Sequence, residues 1–249
     1  MLDFIYWNAD PVVLSFGPLA VRWYGLAFAV GFTVGYWIVA RMFRHEGAPE
    51  KWLGILLMYV VVATLVGSRL GHVFFYEWPY YSKHPGDIFK IWEGGLASHG
   101  GTIANIIALF LFSWFVSKKP ASWVFDKIVV AIALVGGLIR LGNLMNSEIY
   151  GGPTDLPWGF VFLRNGETVP AHPTQIYEAL CYLATFGILC WLYYKKDMAR
   201  RRPGILFGIG LIGTFLTRFF IEFIKTEQEP FELGWTCLLY TSPSPRDIS

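Results

Sequence analysis

This sequence predicts an all-α fold, a polytopic membrane helix bundle of six spans, on three observations. The 249-residue chain is 55% hydrophobic and only 15% charged, with a mean hydropathy of +0.46, whereas soluble domains carry roughly a quarter charged residues. Its apolar residues gather into six runs, and about 20 residues suffice to cross a bilayer. Its basic residues cluster at every second boundary between those runs.

Residues 1–17, with Trp7, Asp10, Pro11 and Gly17, read as an interfacial lead-in. The spans are expected at about 18–40, 52–76, 97–117, 123–140, 172–194 and 204–224. The first ends at Arg41, Arg44 and His45, and the fifth begins at His172-Pro173, a place where the first helical turn tolerates proline. The aromatic, nearly neutral segment EWPYYSKHPGDIFKIWEGG after span 2 has the composition of an interfacial loop. No charged n-region precedes the first apolar run, so that span is expected to be retained. Residues 1–235 read as one membrane domain, and 236–249, ending in SPSPRDIS, as a polar tail foreign to it.

Arg41, Arg44, Lys51, Lys118, Lys119, Lys195, Lys196 and Arg200 to Arg202 fall in alternate loops, which the positive-inside rule places in the cytoplasm with the N-terminus outside. Arg69, His72, His99, Arg140, Glu148, His172, Arg218 and Glu222 then all lie towards the external end of the membrane. A shared polar cavity opening to the outer leaflet accounts for both their position and their tolerance by the bilayer, where an Arg at mid-depth costs roughly 2.5–3.5 kcal/mol.

The most informative stretch is GGLIRLGNLMNSEIYGG, 136–152, where an apolar run stops being apolar. If helical throughout, it carries Arg140, Asn143 and Ser147 on one face with Glu148 beside it, a face suited to an anion. A buried Arg–Glu pair fixing helix register is the plainer alternative. In EGGLASHGG, 93–101, His99 can exchange a proton and the glycines admit close backbone approach, or serve helix packing alone. In TRFFIEFIK, Arg218 and Glu222 are i, i+4 neighbours, read either as an internal salt bridge or as a second guanidinium for a phosphate. AHPTQIYEAL adds His172, Gln175 and Glu178, while Tyr24 and Tyr177 are read as packing or interface aromatics that could also turn hydroxyls inward. Cys181, Cys190 and Cys237 form no CxxC or zinc-spaced set, so neither a metal nor a cofactor is implied. Together the residues describe two arginines, a candidate base and a pocket at headgroup depth, for which a phospholipid is the natural substrate.

In order, RWYGL, GSRLGHVFFY, EGGLASHGG, RLGNLMNSEIYG, HPTQIYEA and TRFFIEFIK resemble the prolipoprotein diacylglyceryl transferases of bacterial inner membranes, from about Asp10 to Trp235. The resemblance implies an enzyme that moves the diacylglyceryl group of phosphatidylglycerol to the lipobox cysteine of a prolipoprotein signal peptide, releasing glycerol phosphate. Its partners are lipid and peptide, with no nucleic acid. It implies roles in catalysis for His99, Arg140, Arg218 and Glu148, and in binding phosphatidylglycerol for Arg140, Asn143, Asn146, Glu222, Tyr24 and His172. Lys225 stands where relatives often carry Arg. The resemblance also implies a seventh span, absent here, so a C-terminally truncated form is expected. A secondary transporter for an anionic solute and a non-catalytic lipid-binding protein are the competing classes. The transporter reading requires polar residues in both halves of the membrane, whereas ALFLFSWFV and GILCWLYY are apolar.

Overall fold

The computed structural model describes residues 4–16, 19–90 and 94–225. The expected tail at 236–249 and Glu93 therefore lie outside the described residues. Among the described residues six helices are long and apolar enough to cross a membrane: α1 (Trp23–His45), α2 (Glu50–Phe75), α4 (Ser98–Leu111, continued to Ser117 by a π-helical turn), α5 (Ala121–Met145), α6 (Thr174–Tyr194) and α8 (Ile205–Glu222). Only 22% to 50% of each apolar window is buried, so most of these helix surfaces are left for lipid. Short helices α3 (Trp78–Tyr81) and α7 (Met198–Arg201) occupy connecting segments.

The lead-in, read from the sequence as interfacial with no secondary structure assigned, contains strands. β1 (Ile5–Trp7) pairs in parallel with β4 (Phe160–Phe162), while β2 (Val12–Phe16) and β3 (Leu19–Arg22) form a hairpin that runs directly into α1. Alternating Val12, Leu14 and Val21 suit a half-exposed strand pair. Trp7 joins a cluster of Leu144, Phe160, Phe162 and Ala171, and its indole donates to the Leu144 carbonyl at 3.0 Å. That carbonyl belongs to the last turn of α5 and also accepts from the Ser147 amide at 3.0 Å.

Among the described residues the chain forms two compact units, 4–39 with 126–225 and 40–125. In the second, α2 and α4 touch along glycine. A Cβ on Gly67 would lie 2.2 Å from the Ala104 Cβ, and one on Gly100 would lie 2.3 Å from the Gly67 carbonyl oxygen. Small residues at these crossings let backbones approach where lipid offers no hydrophobic drive. In the first unit, Gly136 and Gly137 of α5 face Tyr182 and Leu183 of α6, while Gly213 of α8 faces Thr185. The buried Asp126 carboxylate accepts from the Gly204 and Phe207 amides at 2.7 and 2.8 Å, capping the start of α8.

Candidate active site

The first unit holds a buried charge cluster at the ends of α5, α6 and α8. Arg140 lies five residues before the end of α5 and is 8% exposed. Its Nε forms an ion pair with Glu178 Oε2 on α6, and the other oxygen of that carboxylate pairs with Lys225 Nζ at 2.7 Å, neither contact being aligned as a hydrogen bond. Glu178 is 0% exposed. The plainer alternatives, an Arg–Glu pair within the 136–152 stretch and an Arg218–Glu222 salt bridge, are not the ion pairs formed: Arg140 pairs with Glu178, and Glu222 lies 3.7 Å from Lys225. Arg218 is 7% exposed, its Nε has no hydrogen-bond partner, and it forms no ion pair among the described residues. Tyr182 lies in the field of both Arg140 and Arg218.

Helix α5 stops at Met145, so the condition of a helix running on through Glu148 is not met. Ser147 and Ile149 adopt left-handed backbone at φ 57° and 59°, so Ser147 leaves the face of Arg140 and Asn143. The reversal brings Glu148 back over the helix end. Its carboxylate accepts from Asn143 Nδ2 at 3.3 Å and Asn146 Nδ2 at 2.8 Å, and its main-chain oxygen accepts from Gln175 Nε2 at 2.5 Å. A carboxylate can only accept, so both asparagine amides must point their nitrogens at it, leaving both Oδ1 atoms buried without partners. Thr174 and Asn165 tie the same turn through the carbonyls of Ile149 and Ser147, at 2.7 and 2.8 Å.

Beyond the turn, Gly151 threads between two neighbours. Its amide donates to the His172 carbonyl at 2.8 Å, it forms a β-bridge with Lys225, and a Cβ there would meet the Ile224 oxygen at 2.7 Å. This contact sets Lys225, which follows the end of α8 rather than extending its face. The His172 ring packs against Tyr177, with Nδ1 3.4 Å from the hydroxyl. Tyr24 backs onto Gly142 and lies in the field of both Glu148 and Arg140. Tyr150, in the segment between α5 and α6, donates to Glu167 at 2.7 Å, and burial pushes its phenol up.

The second unit holds His99 in the first turn of α4, its ring against Phe75 and Tyr76. Arg69 does not present an anion site. Its Nε donates to Ile88 O at 2.9 Å, Nη1 to Gly94 O at 2.6 Å and Nη2 to Asp87 O at 2.6 Å, with the Tyr81 ring 5.1 Å away. Gly94 and Gly95 both have positive φ, and Gly95 lies so close to Arg69 and His72 that a Cβ would be 2.6 Å from the imidazole. The glycines thus serve this strap, and Gly100 serves the α2 crossing. In the same loop, hydrogen bonds from Lys90 and Tyr80 hold the Asp87 carboxyl below the usual carboxylate range.

Sequence reasoning placed Arg140, Asn143, Glu148, Arg218 and Glu222 near one another but gave Glu178 and Lys225 no bonding role. Their signal was present, as ionisable residues at the ends of apolar runs. The profile of the prolipoprotein diacylglyceryl transferase family matches residues 11–242. This chain belongs to that family. Its similarity to relatives named phosphatidylglycerol–prolipoprotein diacylglyceryl transferase is extensive: 53% identity to the Porphyromonas gingivalis protein over 92% of this chain and 84% of the relative, and 47% to that of Tolumonas auensis over 92% and 88%. The Chloroherpeton thalassium protein is 43% identical over 92% of this chain and 85% of its own. In this family member, the arginines and the histidine stand on a multi-pass helical scaffold.

Proposed function

We propose that this chain transfers the diacylglyceryl group of phosphatidylglycerol to the lipobox cysteine thiol of a prolipoprotein, at the outer leaflet of the bacterial inner membrane. The observation that carries the reading is the charge cluster. Arg140, Lys225 and Arg218 are set against the carboxylates of Glu178 and Glu222, and the buried Arg218 has no ion-pair partner among the described residues. An unmatched buried guanidinium is costly unless an anion joins it, and a phosphodiester is an anion that a membrane supplies.

In the reaction, the cysteine sulfur attacks the glycerol carbon that carries the phosphate. A C–S thioether forms, the C–O bond breaks, the thiol proton passes to a base, and glycerol phosphate leaves with the bonding pair. The departing monoester gains negative charge, which Arg140 and Arg218 stabilise in a site screened from water. To His99 we assign either proton transfer from the thiol, since only the thiolate attacks well, or positioning of the headgroup. Asn143, Asn146 and Glu148 shape the headgroup site, with Tyr24, His172 and Glu222 at its margins.

The test is incubation of membranes containing this chain with glycerol-labelled phosphatidylglycerol and a lipobox peptide, beside an Arg140→Ala chain. Expected are a thioether-linked diacylglyceryl peptide and labelled glycerol phosphate, both lost in the variant. Phospholipid binding without either product would reject catalysis and favour a lipid-binding or transport role.

A further inference from the structure

Glu178 is a negative charge 0% exposed on a membrane-spanning helix, a placement that needs a specific reason. Its two oxygens divide between two elements. Oε2 takes the Nε of Arg140 on α5, and Oε1 takes Lys225 beyond α8 at 2.7 Å. The choice of Nε matters. A guanidinium held there keeps its terminal nitrogens, and those offer the parallel pair of donors that fits two phosphate oxygens. Tyr182 lies one turn after Glu178 on the same helix face, in the field of Arg140. Helix α6 therefore meets Arg140 through the Glu178 carboxylate.

We infer that Glu178 is a positioning residue of the transfer reaction. It fixes the Arg140 guanidinium by Nε so that the terminal nitrogens face the departing phosphate, and it ties that orientation to Lys225 and hence to the Gly151 crossing. The inference rests on the proposed function. A plain charge-balancing role would need only a carboxylate somewhere near Arg140 and Lys225, whereas a positioning role needs this one at Nε.

The experiment uses the full chain, purified into phosphatidylglycerol-containing nanodiscs, with the lipobox peptide as acceptor. Glu178→Gln keeps the shape of the side chain and removes its charge. Because the leaving phosphate gains charge after binding, the loss should fall on kcat, by roughly 10–100-fold, while KM for phosphatidylglycerol moves less than about threefold. A second variant, Glu178→Gln with Lys225→Met, restores the charge count without restoring the grip, and should stay slow. The unsubstituted chain and Arg140→Ala are run alongside. If the unsubstituted chain makes no product, the proposed function fails. If it is active, the inference is overturned by full turnover in Glu178→Gln or by recovery in the double variant. It is also overturned by a loss that disappears when the assay is run below a lowered melting temperature, since that would mark a structural brace.

Discussion

Ile149 is a β-branched residue held at φ 59°, beside Ser147 at 57°, and a residue in so sparse a region costs on the order of 1–3 kcal/mol. What holds the turn is a set of side chains from outside it: Asn143, Asn146, Thr174, Gln175 and Asn165. Gly151 closes it against Ile224 and His172. Gly151→Ala would push a methyl into the Ile224 carbonyl, the His172 Cβ and the Thr174 methyl, and should cost roughly 1–3 kcal/mol as overpacking does. Thermal unfolding in detergent checks this; an unshifted midpoint would mean that the crossing opens freely. The arginines, asparagines and histidines were legible one by one, because charge in an apolar run is conspicuous. Their partners were not. An i, i+4 relation such as Arg218 to Glu222 can be counted along the chain, but Glu178 reaches Arg140 through helix-to-helix register, which spacing does not encode.

At the scale of elements, the six spans were readable from hydropathy to within a few residues at most ends. The pieces that hydropathy does not delineate lack an apolar period: the N-terminal strands, of which β1 pairs with β4 far along the chain, and the end of α5, broken by a turn with no glycine or proline in it. The loop after α2 looked interfacial, yet a single arginine straps it down. Arg69→Met keeps the stem and removes donors to Asp87, Ile88 and Gly94. With such charge-assisted bonds worth about 1.5–3 kcal/mol each, amide exchange at Lys90 and Ala97 should quicken by roughly tenfold or more. Unchanged protection would mean that the Ala97 amide bond to Ser68 O and the turn at Lys90 suffice.

At the scale of the whole molecule, the proposed orientation puts the basic loops in the cytoplasm and predicts which positions face outward. With the native cysteines replaced, single cysteines at the exposed positions Lys83 and Thr168 should react with a membrane-impermeant thiol reagent in intact spheroplasts. Those at Glu50 and Lys196 should react only after the membrane is opened. The reverse pattern would place the charge cluster at the cytoplasmic face and remove the outer-leaflet reaction. Family and fold class were thus open to a reader of residues, since both rest on patterns local to the chain, while the wiring of the cluster required three helices to be set side by side. That wiring also bears on how the chain is made. Translation delivers Arg140 to the membrane a whole span before Glu178 and two before Lys225, so the nascent chain must shelter a lone cation until α6 arrives, and assembly of this bundle is obliged to wait for its carboxylate.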